Sequence, residues 1–415
     1  MIFKKISFTI LFFISVLSFA QSALYCNALV KVGADNYSEY LPLLKAKTIG
    51  VVVNQSSLVK SNTVKTDKKG NESFEFVNQH LVDFLLSKRI SIKSIFSPEH
   101  GFRGEADAGE KVESGFDSKT KLPIVSLYGS NKKPSKAQLK GIDVLIFDIQ
   151  DVGARFYTYI STLHYVMEAC AENNVQLIVL DRPNPNGFYV DGPVLKKQYQ
   201  SFVGMHPVPV VHGMTVGEYA QMINGEKWLN NQAKCDLKVV KCKGWNHKKF
   251  YKLPVKPSPN LPNMLSVYLY PGLCFFEGTV VSIGRGTNKP FQVIGHPKYN
   301  PNSFAFIPKP TDGAKHPKLE HKTCFGIDFT ILGIDVIRSQ KQINIHWLLL
   351  FYNKLKLGNQ FFLKNKFFNL LAGNNELMSQ IISGKSEKEI RATWQADIEA
   401  FKKIRSKYLL YEDFE

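Results

Sequence analysis

The sequence predicts an α/β protein built on a parallel β-sheet, and three observations carry that prediction. Short β-branched runs alternate with longer stretches of helical period, the runs are apolar throughout, and polar residues collect just after each run. A strand that is apolar on both sides is covered on both faces, and strands separated by helices pair in parallel. In such sheets ligands bind outside the carboxyl ends of the strands. Asn54 and Gln55, Glu99 and His100, Asp148 and Asp151, and Asp181 and Arg182 therefore mark one candidate edge.

The elements follow in order. Residues 49–53 read as a strand, and residues 74–87 as an amphipathic helix with Phe76, Val77, Leu81, Phe84 and Leu85 on one face. Residues 92–96 and 124–127 are the next strands, and Ser135 with Gln138 opens a short helix over 135–139 through a Ser-x-x-Gln cap. Strand 144–147, helix 157–173 and strand 177–180 repeat the pattern. Residues 194–271 are rich in Pro and Gly, with one helix opened by a Thr215-x-x-Glu218 capping box and a strand over 237–242. A second domain begins near Pro271 and holds a strand over 327–332, a helix over 345–357 and a helical stretch over 394–411. The division is thus a leader over 1–20, a sheet domain over 21–270, and a smaller domain over 271–415 that completes a cleft. No internal repeat is visible.

The leader is read from Lys4 and Lys5, the apolar run 6–19, and small residues Ser18 and Ala20 at the minus-three and minus-one positions of a cleavage site. That run is shorter than the roughly 18 to 20 residues of a membrane span, and polar sequence follows at once. Tyr25 before Cys26 is too large for a lipoprotein signal. The expected product is exported, periplasmic where the host has an outer membrane, and without stable membrane insertion. With 415 residues, 44% of them hydrophobic and 12% aromatic, the chain has room for two ordered domains. The formal charge of +18 comes from scattered Lys rather than a basic stripe interleaved with aromatics, so nucleic acid is not the expected partner. Attraction to anionic envelope polymers accounts for it more simply. None of the six cysteines forms a C-x-x-C, which argues against structural zinc, and their pairing is not readable from sequence.

The sharpest local feature is Ser97-Pro98-Glu99-His100-Gly101-Phe102-Arg103-Gly104, which sets an acid, an imidazole and a guanidinium in one glycine-punctuated loop after a strand. A carboxyl among apolar neighbours can stay protonated at neutral pH and serve as a general acid. The plainer alternative is an Arg103–Glu99 ion pair that pins the loop. A second feature, Asp148 to Tyr159, offers Asp151 for chemistry and Arg155 and Tyr157 for substrate hydroxyls or a carboxylate, with helix capping as the competing role of Asp151. Asp148 reads as structural. Stiff Pro-bearing loops around Asn184, His212 and Asn260 suit sugar recognition, and Glu277-Gly278-Thr279 with Gly284-Arg285-Gly286-Thr287 can reach over the crevice from the second domain. There is no Gly-x-Ser-x-Gly elbow, no Walker loop and no His-Glu-x-x-His helix.

The strings SPEHGFRGEADAGE, DIQDVGARFYTYI, DRPNPNG with DGPVL, HGMTVGEYA, PSPNLP, YPGLC with EGT, and GRGTNKPF resemble the exo-β-N-acetylmuramidases, a family long known only as proteins of unknown function. The similarity runs from about Leu43 to the C-terminus, where IRSKYLLY also fits. It implies a Rossmann-like N-terminal domain, a smaller C-terminal α/β domain, and an active site in the cleft between them. It further implies release of N-acetylmuramic acid from the non-reducing end of β-1,4-linked peptidoglycan fragments, with muropeptides as substrate and Glu99 as catalytic carboxyl. Many relatives have Asn and Glu where this chain has Val280 and Ile283, and an aromatic-ended motif where it has Gly295-His296-Pro297-Lys298, which bears on substrate fit at that lip.

The resulting expectation is a glycosidase without cofactor or metal. Glu99 is the general acid, and Asp151 activates water or supports an oxocarbenium-like transition state; participation by the substrate acetamido group is the alternative that needs no protein nucleophile. His100, Arg103, Arg155, Tyr157, His212, Asn260, Glu277 and Arg285 are the expected substrate contacts, with Arg155 or Arg285 reading the lactyl carboxylate. Two other readings use the same residues: a metal-dependent amidase or deacetylase built on His100, Asp151 and His212, and a muropeptide-binding protein without turnover.

Overall fold

The structure, a computed structural model, describes residues 30–66, 72–102 and 114–415. The leader, Cys26 and Arg103 lie outside these residues. In chain order the strands of the first layer are β1 (Thr48–Val53), β2 (Leu58–Thr66), β3 (Glu72–His80), β4 (Ser91–Ser97), β5 (Gly115–Phe116), β6 (Pro123–Ser126), β7 (Val144–Asp148), β8 (Gln176–Leu180) and β9 (Leu237–Val240). Seven of them form one sheet in the order β5-β6-β4-β1-β7-β8-β9, parallel except at the β5–β6 edge. Val51, Val52 and Val53 of β1 and Val144, Leu145, Ile146 and Phe147 of β7 have no solvent exposure. Their apolar runs do mean strands covered on both faces.

Among the helices are α1 (Leu81–Ser87), α2 (Lys136–Leu139), α3 (Tyr159–Asn173), α4 (Val216–Gly225), α5 (Met264–Leu273), α6 (His346–Leu355), α7 (Phe367–Ala372) and α8 (Gln395–Arg405). Both expected capping boxes are present. Ser135 Oγ accepts from Gln138 N while Gln138 Oε1 accepts from Ser135 N, and Thr215 and Glu218 make the same reciprocal pair at α4. Each satisfies two backbone donors that a helix start otherwise leaves bare.

The helix expected over 74–87 is a correction. Residues 72–80 are β3, paired antiparallel with β2, and α1 begins only at Leu81, where His80 Nδ1 accepts from Val82 N at 3.3 Å. Residues 74–77, Phe-Glu-Phe-Val, carry a two-residue alternation that suits a strand. The strand expected over 327–332 is β12 (Cys324–Asp328) followed by a 3-10 turn, because the Asp328 carboxylate accepts from Thr330 N at 2.9 Å and turns the chain.

The smaller layer holds an antiparallel sheet of β10 (Val293–His296), β11 (Phe304–Phe306) and β12 in the order β10-β12-β11, with helices α6 to α8. Pro271, the expected start of the second domain, lies inside α5, a helix buried from Leu265 to Leu273. The C-terminal segment returns to the first layer. The Tyr411 hydroxyl donates to Asp181 Oδ2 at 2.5 Å, Leu410 N to Glu218 Oε1 at 2.8 Å, and Arg405 to the Gly213 carbonyl. Among the described residues no helix is long and apolar enough to cross a membrane.

Candidate active site

Most polar residues at the carboxyl edge hold loops to one another. Asp148 takes two hydrogen bonds from Arg182, at 2.6 and 2.9 Å. Asp181 accepts from Thr215 Oγ1, Gly217 N and Tyr411, fixing the start of α4, and Asn54 donates to the Tyr159 hydroxyl at 2.9 Å. Glu99 and His100 differ. They line a cleft of about 640 Å³ between the sheet edge and the smaller layer. The chain runs from β1 out to β4 and β6 and then back to β7, so the strand order reverses beside this cleft, as α/β ligand sites require.

One wall rises from the sheet. After β4, residues 98–101 close a turn through Gly101 N and the Pro98 carbonyl, and His100 takes a left-handed backbone at φ 69°. Such a conformation is uncommon for a side chain with a Cβ and tends to occur at functional loops. Glu99 Oε2 accepts the Thr158 hydroxyl at 2.5 Å. Tyr157 stands edge-on to Tyr159 and to Tyr270, and its hydroxyl donates to the Pro257 carbonyl at 2.8 Å. Asn260 is anchored through Nδ2 to the Gly313 carbonyl at 2.6 Å.

The opposite wall belongs to the smaller layer. Glu277 sits on the 3-10 turn Cys274–Gly278 that continues α5. Arg285 donates from Nε and Nη2 to Glu277 Oε1, at 2.8 and 2.5 Å, and lies over the Phe291 ring. Glu277 Oε2 has Cys274 Sγ at 3.8 Å as its hydrogen-bond contact. Gly284 and Gly286 flank Arg285 with φ of 76° and 78°, and a Cβ on Gly286 would meet the Lys309 carbonyl at 2.5 Å. Glycine alone fits that bend. Among the described residues that line the cleft, Glu99 and Glu277 are the carboxylates, one from each wall.

Three expected site residues lie elsewhere. Asp151, expected as the second catalytic carboxylate, does not line the cleft. It is 4% exposed, its Oδ1 closes its own turn by accepting from Gly153 N at 2.6 Å, and the N-cap position of α3 belongs to Thr158. Arg155 is fully buried and donates to the carbonyls of Pro193, Val208 and Leu371, so it fastens loops instead of meeting substrate. His212 is buried with Nδ1 accepting from Met214 N, and burial, with Arg405 and Arg155 nearby, pulls it down to about 3. His100, Asp151 and His212 are therefore not assembled as metal ligands; among the described residues no group of three His, Cys, Asp or Glu is. Arg103 lies outside the described residues. Val280, Ile283 and residues 295–298, where the sequence departs from many relatives, do not line the cleft.

Burial pushes the Asp151 carboxyl up to about 7, against backbone donation from Gly153 and Val152. The folded chain then holds this proton more tightly than the unfolded one. Asp151 stabilises the fold fully below pH about 4, the range of a free Asp, and that contribution is lost as the pH rises through about 7. Asp151→Asn should accordingly gain in Tm relative to wild type between pH about 5 and 8. Its loss of kcat should stay below the roughly 10²-fold that general acid–base catalysis is worth at the least. A larger loss in a folded variant would return Asp151 to the chemistry.

Sequence reasoning missed several cleft residues. Tyr128 and Lys132 follow β6, Phe202 faces them, and Lys318 stands on the far wall. Lys318 Nζ donates to the carbonyls of Phe276, Glu277 and Thr279 and so ties down the turn that carries Glu277. Burial, opposed by Glu277 and aided by Arg285, pulls its ammonium down to about 8. Lysines recur throughout this chain, which left these two without a sequence signal.

Residues 49–265 match the family model described as exo-β-N-acetylmuramidase NamZ, N-terminal, and residues 268–411 the model described as its C-terminal part. The peptidoglycan β-N-acetylmuramidase NamZ of Bacillus subtilis (strain 168) is 37% identical over 400 residues, which covers 92% of this chain and 91% of that protein. Two DUF1343 family proteins of known structure from Bacteroides fragilis NCTC 9343 are similar over 92% of this chain and 99% of theirs. One has a TM-score of 0.82 at 45% identity, the other 0.73 at 29%.

Proposed function

The chain belongs to the exo-β-N-acetylmuramidase NamZ family, and on that basis we propose how its cleft carries out the reaction. It is a glycoside hydrolase that removes N-acetylmuramic acid from the non-reducing ends of peptidoglycan fragments. The single observation that carries the mechanism is that two carboxylates, Glu99 from the sheet layer and Glu277 from the turn after α5, line one cleft. Glu99 protonates the glycosidic oxygen as the bond to the anomeric carbon breaks. Its Oε2 is held by the Thr158 hydroxyl, so the carboxyl is oriented before substrate arrives. Glu277, held by Arg285 through one oxygen, turns the other toward the positive charge that develops on the sugar or toward the attacking water. In this role Glu277 takes the place expected of Asp151.

The remaining walls suit a sugar. Tyr157 and Tyr270 line it with apolar ring surface, and Asn260, anchored through its amide nitrogen, keeps its carbonyl oxygen as an acceptor for a hydroxyl. Purified protein mixed with a chromogenic β-N-acetylmuramic acid glycoside should release the chromophore at the same rate with and without chelator. Activity that vanishes in chelator and returns with zinc would favour the amidase type of site, and binding without release would favour a non-catalytic protein.

The proposal extends to location. Lys4, Lys5, the apolar run 6–19 and the small residues at 18 and 20 support export, to the periplasm where an outer membrane exists. N-terminal sequencing should find the mature chain starting near Gln21; Met1 retained on a cytoplasmic product would speak against export.

A further inference from the structure

Muramic acid differs from N-acetylglucosamine by a lactyl ether, whose carboxylate is ionised at neutral pH. A cleft that selects it needs a cation whose donors are not already engaged. Arg155 is outside the cleft, Arg285 is paired with Glu277, and the Lys318 ammonium donates to three backbone carbonyls. Lys132 is different. It lines the cleft, its Nζ lies 4.8 Å from the centre of the Phe202 ring, and it has no carboxylate or carbonyl partner among the described residues.

The backbone sets this lysine beside the acid. β4 and β6 are paired through Ser97 and Ser126, and Leu127 N donates to the Ser97 carbonyl at 2.8 Å, so the loops beyond them leave the sheet side by side. Glu99 is two residues beyond that pairing on one strand, and Tyr128 two residues beyond it on the other. The second loop is anchored by Asn131 Nδ2 on the Ser126 carbonyl at 2.7 Å. Lys133, which follows Lys132, is drawn outward by Glu168 and Glu172 at 2.8 and 2.7 Å, leaving Lys132 on the cleft side. Phe202 is itself held, its carbonyl accepting from Ser161 Oγ at 2.7 Å. A ring under an ammonium steadies the charge without using its N–H donors, which stay available for an incoming carboxylate.

We propose that Lys132 is the specificity residue that binds the lactyl carboxylate of muramic acid, a role that rests on the reading of the cleft as a muramidase site. The test compares kcat/KM on a chromogenic muramic acid glycoside and on its lactyl carboxamide, which keeps the shape and removes the charge. Wild type should prefer the acid by about ten- to hundred-fold, the range of a charge-assisted contact. In Lys132→Met that ratio should fall to near one, and in Lys132→Arg it should largely return. A ratio that persists in a folded Lys132→Met, or equal losses on both substrates, overturns the assignment while leaving the muramidase reading intact. A wild type that cleaves neither glycoside overturns both.

Discussion

Glu99→Gln should fold as wild type does and lose about 10² to 10⁴-fold in kcat on a disaccharide of N-acetylmuramic acid and N-acetylglucosamine. The amide keeps the size of the carboxyl, and its oxygen can still accept the Thr158 hydroxyl, so neither the loop nor the turn at His100 has reason to move. What it cannot do is deliver a proton to the departing sugar oxygen. The loss should therefore depend on the leaving group: large for a sugar alcohol, much smaller for a nitrophenolate, which departs without help. Thermal unfolding of both proteins checks the fold, and steady-state rates on the two substrates check the chemistry. A loss of equal size on both substrates would mean that Glu99 does something other than protonate the leaving oxygen.

Glu277→Gln should be the second severe variant, with a loss in kcat of about 10²-fold or more. It removes the negative charge facing the anomeric centre and also breaks the pair with Arg285, so a stability loss of about 1–3 kcal/mol should accompany it. Arg285→Gln separates the two effects. It breaks the same pair yet leaves the carboxylate in place, so its Tm should fall by a similar amount while kcat falls far less. Equal kcat losses in the two variants would mean that the pair is a structural tie between the turn at Cys274–Gly278 and the Gly284 bend, and that the second catalytic group is elsewhere.

How far the sequence could be read depended on whether a residue's role is local. The strands β1, β4, β7 and β8 were legible because an apolar β-branched run has one good use in a chain of alternating helices, and the caps at Ser135 and Thr215 were legible because they act over three residues. β3 was not, since its hydrophobic spacing continues into α1 and its partner strand β2 carries the other half of the signal. The same division runs through the site. Glu99, His100, Tyr157, Asn260, Glu277 and Arg285 meet in the cleft, and each stands in a motif whose loop reaches it directly. Asp151, Arg155 and His212 stand in equally conspicuous motifs and do not line it. What decides their fate is distant: carbonyls at Pro193, Val208 and Leu371 for Arg155, and Arg405 close to His212. Lys132 illustrates the converse. Its proposed role rests on its having no anionic partner among the described residues, and only the folded chain reveals that Lys133 has taken Glu168 and Glu172.

If Glu99 and Glu277, lining this one cleft, remove single muramic acid residues from chain ends, the first soluble product of digestion must show it. Defined peptidoglycan oligosaccharides with either N-acetylmuramic acid or N-acetylglucosamine at the non-reducing end are incubated with wild type and with Glu99→Gln, and the soluble sugars are separated and weighed by mass spectrometry. Free N-acetylmuramic acid should be the first product from muramic-acid-ended chains, with nothing released from glucosamine-ended chains and at least about a hundred-fold less product with Glu99→Gln. Disaccharides as first products, cleavage of glucosamine-ended chains, or a folded Glu99→Gln working above about a tenth of the wild-type rate would refute this assignment of the cleft and its acid.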